Sequence, residues 1–343
     1  MGFRVTLQPS GHAFEVPEGK PILTAGLDAG WNMPYSCRAG TCRTCRARII
    51  EGKVDYGNAH PAYLPEEHKA LGLALLCKAK PLTDLVIELK ELSLHGVKPR
   101  MVPCRVKQIR MAAPDVAVLD LRLPMNENMM FAAGQYVDFL LKDGKRRSYS
   151  IATPPVPGGA IDIQLHIRHT PGGAFTYQVF STLREREVLR FEGPLGTFYL
   201  REESDKPIVF VASGTGFAPI KAIIEYMIRQ RIARPVSLYW GCRAKLDLYM
   251  ADLPRSWEAQ LPGFRYVPVL SDALPQDQWR GRSGFVHRAV MEDFPDLSGH
   301  QVYACGAPVM VEAAERDFVA SCRLPKDEFY ADSFTSEADK HGA

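Results

Sequence analysis

Cys37-Arg38-Ala39-Gly40-Thr41-Cys42-Arg43-Thr44-Cys45, followed well downstream by Cys77, is the stretch from which the rest of the chain is read. Three cysteines at C-x4-C-x2-C spacing with a distant fourth form the pattern in which four thiolates hold a 2Fe-2S cluster. Such a cluster needs ligands that converge from a tight loop, and Gly40 permits backbone angles that turn amide N–H groups toward the sulfurs. A structural zinc site of four cysteines is the alternative; its ligands usually come as two short C-x2-4-C pairs, whereas here three lie together and one stands alone. Cys37, Cys42, Cys45 and Cys77 are therefore the expected metal ligands. Arg38, Arg43 and Arg46 decorate the same loop, either as a solvated basic face or as a docking patch for an acidic electron acceptor, since complementary charge speeds encounter.

Around this loop stands a chain of 343 residues. At roughly 100 to 200 residues per domain, that length calls for two or three domains. Hydrophobic residues make up 46% and charged residues 24%. No apolar run approaches the roughly 20 residues of a membrane span. Met1-Gly2-Phe3-Arg4-Val5-Thr6-Leu7 alternates like a strand and lacks the apolar stretch and cleavage site of a signal peptide, so a cytoplasmic location is expected. There the eight cysteines would be reduced, which favours metal ligands, active-site residues or buried thiols over disulfides. A net charge of +3 is too small to imply nucleic-acid binding, and no Lys/Arg block is interleaved with aromatics.

Residues 1–92 hold short alternating runs (Phe3 to Leu7, Ala47 to Ile50, Leu85 to Leu89), which fit a small β-rich domain. Residues 93–101, with Gly96 and Pro99 and little periodicity, read as a linker. Over 102–203, strands at Val116 to Leu123, Tyr136 to Leu141, Ile161 to Ile167 and Glu187 to Phe191 alternate with Gly/Pro turns, as in an antiparallel barrel. The grammar changes in 204–343. Ile208 to Ala212 is a continuous apolar run, Ile220 to Ile228 has helical periodicity, and further runs follow at Val236 to Trp240, Tyr266 to Leu270 and Val302 to Ala304. This is the alternation of an α/β domain with a parallel sheet.

Arg147-Ser148-Tyr149-Ser150 follows the second of those barrel strands; a guanidinium fork suits a phosphate, and a tyrosine combines an apolar face with a polar tip. At these residues the chain resembles the ferredoxin-NADP reductase superfamily, whose R-x-Y-S motif lies on the flavin. The resemblance implies that Arg147 pairs with a flavin phosphate, Tyr149 packs on the isoalloxazine ring and Ser150 hydrogen-bonds near the reactive N5. Ile167-Arg168-His169-Thr170-Pro171-Gly172-Gly173-Ala174-Phe175-Thr176 matches the second flavin segment, where amides near Ile167, Gly172 and Gly173 and the Thr176 hydroxyl could surround a diphosphate, which points to FAD.

Val211-Ala212-Ser213-Gly214-Thr215-Gly216-Phe217-Ala218-Pro219 joins a buried strand to a helix, where small residues let a pyrophosphate approach the backbone. By the same resemblance, Gly214, Thr215, Gly216 and Pro219 form the G-T-G-x-x-P nicotinamide turn. Tyr303-Ala304-Cys305-Gly306-Ala307-Pro308 likewise matches C-G-x-P, which implies Cys305 beside nicotinamide C4 and Gly306 among the cofactor-binding residues. Phe334, at the end of the strand-like Phe329-Tyr330-Ala331-Asp332-Ser333-Phe334, would be the aromatic that covers the flavin until nicotinamide displaces it. Ser150, Cys305 and Phe334 are thus the expected catalytic residues.

The implied order is a plant-type ferredoxin domain of β-grasp fold, an antiparallel β-barrel flavin domain and a parallel-sheet α/β nicotinamide domain, a multidomain chain of α+β and α/β class. That order resembles the reductase components of multicomponent oxygenases. Gln8-Pro9-Ser10-Gly11-His12, Gly284-Phe285-Val286-His287-Arg288-Ala289-Val290 and Pro295-Asp296-Leu297-Ser298-Gly299 are similar to the CDP-6-deoxy-Δ3,4-glucoseen reductase group, partners of a sugar dehydrase. Arg43-Thr44 departs from the small Gly-Ser pair often found there. The expected partner is an electron-accepting protein, a sugar dehydrase or an oxygenase component. After Val236 to Trp240, Arg243 and Lys245 could hold a 2′-phosphate but Asp247 would oppose it, so NADH is expected over NADPH.

Overall fold

In a computed structural model, residues 2–89, 99–141 and 144–334 are described. Two compact units divide the chain, Met1–Gly96 and Val97–Phe334. In the first, strands run in the order Ala13–Pro17, Gly2–Gln8, Leu85–Glu88, Arg46–Glu51 and Leu73–Leu75. Gly2–Gln8 pairs antiparallel with Ala13–Pro17 and parallel with Leu85–Glu88. Val5, Leu7, Phe14, Val16, Leu85 and Ile87 alternate inward, and the helix Ile22–Asp28 adds Ile22, Leu23 and Ala25 to that core. Gly26 is the contact residue of this helix: a Cβ there would stand 2.2 Å from Met33 Sδ.

The second unit begins with an antiparallel sheet of six strands in the order Arg146–Ser150, Tyr136–Leu140, Val188–Leu195, Arg100–Ala113, Val116–Arg122 and Asp162–Arg168. An Ile151–Leu165 bridge joins the two end strands, closing the sheet into a barrel. Its interior is filled by Val137, Phe139, Ile163, Leu165, Ile167 and Phe191. The stretch expected as a linker is strand from Arg100 onward; its residues 93–98 lie outside the described ones.

After Pro207 come six parallel strands in the order Arg282–Ser283, Phe264–Leu270, Val236–Cys242, Ile208–Ser213, Gln301–Gly306 and Phe329–Ser333. Both faces are covered, which is why the strands read as apolar runs. The helix Phe217–Gln230 packs on one face with Trp240 and Tyr303; the helices Val286–Asp293 and Pro308–Ser321 pack on the other with Tyr239 and Val302. Ile208–Ser213 is the central strand from which the order runs both ways, so a crevice opens between its carboxyl end and that of Gln301–Gly306.

Candidate functional site

The backbone brings the four expected cysteine ligands together. Leu76 N–H donates to the Cys45 carbonyl, which seats the Cys77 turn against the foot of strand Arg46–Glu51. Upstream, the loop doubles back through left-handed angles at Arg38 (φ 52°), Gly40 (φ 82°) and Arg43 (φ 58°). This aims the Ala39 and Thr41 amides at Cys37 Sγ (3.3 and 3.4 Å) and the Cys37 amide at Cys42 Sγ (3.4 Å). The sulfurs are held as two hydrogen-bonded pairs, Cys37 with Cys42 and Cys45 with Cys77. The bond from Cys42, helped by Thr41 and opposed by burial, lowers the Cys37 thiol to about 5. The Cys42 and Cys45 thiols are pushed up, first by those pairings and then by burial. A 2Fe-2S cluster takes two protein ligands on each iron, so this two-by-two arrangement fits it.

The loop arginines are all half-buried. Arg38 lies over the Tyr35 ring at 4.8 Å. Arg43 donates to the carbonyls of Ala62 (2.7 Å) and Tyr63 (3.2 Å). These two basic groups build the loop, a role that composition does not reveal.

On the barrel rim, strand Arg146–Ser150 lines Tyr149 against Val137 and Ser150 against Tyr136. The Tyr149 ring lies 5.3 Å from Phe175 and 6.1 Å from Phe139, and burial raises its phenol above the usual range. Ser150 is buried, and half-buried Arg147 donates to the Arg146 carbonyl at 2.8 Å. The next segment holds two surprises. The Ile167 side chain points into the barrel core, leaving only its backbone to face a ligand. Thr176 stands in the first turn of helix Ala174–Ser181, and its hydroxyl lies within hydrogen-bond reach of the Thr170 and Gly173 carbonyls (3.1 and 3.0 Å), bracing the turn. Gly172, at φ 73°, has open space where a Cβ would stand, and Gly173 caps the helix.

In the parallel-sheet domain the two expected nicotinamide turns meet. Gly214–Gly216 forms a tight turn at the end of the central strand, and a Cβ on Gly216 would stand 2.1 Å from the Cys305 carbonyl oxygen. Gly306, at φ 135°, leaves room for Ser213 Oγ, which accepts the Ala307 amide at 2.9 Å. Pro219 is buried in the following helix. Cys305 is fully buried, and burial, then the Asp332 charge, pushes its thiol well up. Phe334 donates its amide to the Gly306 carbonyl at 2.8 Å and packs on the same face of the sheet as Cys305. Beyond Val236–Cys242, Asp247 accepts the Ala244 amide at 3.1 Å, and Arg243 is exposed.

Three side chains that join the barrel to the parallel-sheet domain were not anticipated from the sequence. Lys221, buried in helix Phe217–Gln230, donates to the Ala152 carbonyl at 2.9 Å and pairs with Glu225 at 2.8 Å. His166 meets the Tyr249 hydroxyl at 2.8 Å; burial, then the charges of Lys221 and Arg110, lowers its pKa to about 3 and keeps it neutral. Arg168 lies 3.4 Å from Asp115 and 3.9 Å from Asp247, beside Gly214. A signal for Lys221 was present: a lysine within the apolar run Phe217-Ala218-Pro219-Ile220-Lys221-Ala222-Ile223-Ile224.

Comparison with known proteins agrees with this geometry. The 2Fe-2S iron-sulfur cluster binding domain family matches residues 5–82, the oxidoreductase FAD-binding domain family residues 103–199 and the oxidoreductase NAD-binding domain family residues 210–316. The chain is 41% identical to a CDP-6-deoxy-L-threo-D-glycero-4-hexulose-3-dehydrase reductase of Yersinia pseudotuberculosis, covering 97% of this chain and 99% of that one. It is 33% identical to a terephthalate 1,2-dioxygenase reductase component of Comamonas, covering 99% and 100%. Among solved structures, a cytochrome P450 reductase of Amycolatopsis aligns with a TM-score of 0.77 at 34% identity, over 97% of this chain and 99% of that one. With paired cysteines in the first unit, a closed barrel and a glycine-lined crevice in the second, and relatives alike along their whole length, the chain belongs to the family of NAD(P)H-dependent iron-sulfur flavoprotein reductases that combine 2Fe-2S, FAD-binding and NAD-binding domains.

Proposed function

We propose that this reductase draws its electrons from NADH and passes them to a sugar dehydrase acting on a nucleotide-linked deoxyhexulose. The observation that carries the electron-transfer reading is that Cys37, Cys42, Cys45 and Cys77 come together within the residues matched by the 2Fe-2S family, in a chain that also has flavin and nicotinamide domains. The choice of acceptor rests on the 41% identity to the dehydrase reductase. An oxygenase component is the second reading, favoured by the 37% identity to an aromatic O-demethylase reductase subunit over 93% of this chain. We assign the domains to 1–92, 102–203 and 204–343, and place the chain in the cytoplasm, where thiol ligands stay reduced.

Flavin supplies the chemistry that joins the two halves, accepting two electrons together and releasing them singly. Arg147 would take a flavin phosphate, Tyr149 the ring and Ser150 the N5 edge. The backbone at Ile167, Gly172 and Gly173 would line the diphosphate, with Thr176 bracing that turn. Gly214, Thr215, Gly216, Pro219, Cys305 and Gly306 would receive nicotinamide once Phe334 moves aside. Exposed Arg243 could attract a 2′-phosphate, but the Asp247 carboxylate nearby disfavours one, so NADH is the assigned donor. Purified protein should contain one FAD, one 2Fe-2S cluster and acid-labile sulfide, and anaerobic NADH should bleach the flavin. Bound zinc without sulfide would refute the cluster, and a kcat/KM higher with NADPH would reverse the donor assignment.

A further inference from the structure

Lys221 sits on the first turns of the helix that begins at the Gly214–Gly216 turn, yet its ammonium reaches the barrel. It is about as buried as its apolar neighbours, and its hydrogen-bonding partners are the Ala152 carbonyl at 2.9 Å and Glu225 at 2.8 Å. Removing an ammonium from water is costly unless it is paired, and an apolar side chain would pack this helix face at lower cost. Ala152 lies two residues beyond Ser150 and one beyond Ile151, which closes the barrel. One side chain therefore spans from the end of the flavin strand to the root of the nicotinamide turn. The other two cross-links differ: Arg168 reaches Asp247 only at 3.9 Å, and His166 to Tyr249 is a neutral bond on the face of strand Asp162–Arg168 turned away from the barrel core.

We infer that Lys221 is a positioning residue for hydride transfer: it ties the Ser150–Ala152 segment to the nicotinamide helix and so fixes the separation of donor and acceptor. The inference rests on the assignment of Ser150 to the flavin and of the Gly214–Gly216 turn to nicotinamide. Misplacement of reacting atoms by about 1 Å can cost a hundredfold in rate while affecting binding far less.

The test is anaerobic stopped-flow reduction of the full-length, FAD- and cluster-loaded protein by NADH and by NADH deuterated at the transferred position. In Lys221→Met, flavin content should hold and the Kd for NADH should change little. The reduction rate should fall about 10- to 100-fold, and the deuterium isotope effect on steady-state turnover should rise as hydride transfer becomes limiting. Lys221→Arg, which keeps a buried cationic donor, should recover much of the rate. Should the Met variant fail to fold, Glu225→Gln, which loosens the ammonium without removing it, should give a smaller slowing and a correspondingly smaller rise in isotope effect. An unchanged rate and isotope effect in the Met variant, or in Glu225→Gln where that variant decides, would overturn the inference, even if the melting temperature fell. Wild-type flavin that neither NADH nor NADPH reduces would instead overturn the functional reading beneath it.

Discussion

A methyl group on Gly216 would stand 2.1 Å from the Cys305 carbonyl oxygen, and backbone cannot yield as a side-chain tip can. Gly216→Ala should therefore force apart the two turns that flank the crevice, costing about 1–3 kcal/mol of stability as overpacking does. It should also raise the KM for NADH well above any effect on flavin content. A variant that melts and binds NADH like wild type would show that the turns do not need this contact. Arg43 presents the opposite case, a bulky residue held at φ 58°, where a Cβ costs roughly 1 kcal/mol and glycine costs nothing. What offsets the strain is the guanidinium bonded to the Ala62 and Tyr63 carbonyls. Arg43→Ala keeps the strain and loses the bonds; Arg43→Gly loses both. Denaturation followed by the visible absorbance of the cluster should rank Arg above or near Gly, with Ala lowest, below Gly by about 1 kcal/mol. Equal stability of Ala and Gly would contradict the strain argument. It also explains why small residues suit this position, a reason that spacing alone does not supply.

At the scale of elements, parallel strands were legible because burial on both faces leaves continuous apolar runs, as in Ile208–Ser213, and the cysteine loop was legible because metal geometry fixes spacing. Helix Ala174–Ser181 was not: Ala174-Phe175-Thr176-Tyr177 carries no strong cap or periodicity. The motif that marks Ile167 does not say which way its side chain faces; strand alternation turns it into the core. Nor could a pattern reveal that His166 on strand Asp162–Arg168 meets Tyr249 from the next domain. That buried bond carries a pH dependence. Burial, then Lys221 and Arg110, lowers His166 to about 3 from 6.5. The unfolded chain binds this proton first, so the stabilising contribution is complete above pH 6.5 and is lost as pH falls toward 3. Between pH 7 and pH 5 the loss should be about 2 kcal/mol. Chemical denaturation of the flavin and nicotinamide domains at those two pH values should show a shallower pH slope in His166→Gln than in wild type. Parallel slopes would mean that His166 is not held neutral.

For the whole molecule the decisive constraint is electron count. A hydride carries two electrons and a 2Fe-2S cluster takes one, so a carrier that handles both must stand between them, and the FAD-binding domain supplies it. The acceptor should then be served from the cluster and not from the flavin. Cys42→Ser separates the two exits, because it removes one sulfur of the Cys37–Cys42 pair and leaves the sequence of the second unit, Val97–Phe334, unchanged. Ferricyanide, small enough to take electrons from flavin directly, should still be reduced at close to the wild-type rate, whereas reduction of cytochrome c should collapse. Salt gives an independent check on where a protein acceptor approaches. Arg38, Arg43 and Arg46 lie half-buried in the cysteine loop, where an acceptor docking on that loop would meet them. At 0.1 M ionic strength exposed charges are screened beyond about 10 Å. Raising the salt should therefore slow wild-type transfer to an acidic acceptor and leave ferricyanide reduction by the Cys42→Ser variant less affected than encounter at the loop. Cytochrome c reduction that persists at the wild-type rate in the cluster-free variant would mean that electrons leave from the flavin, and the assigned route would fall.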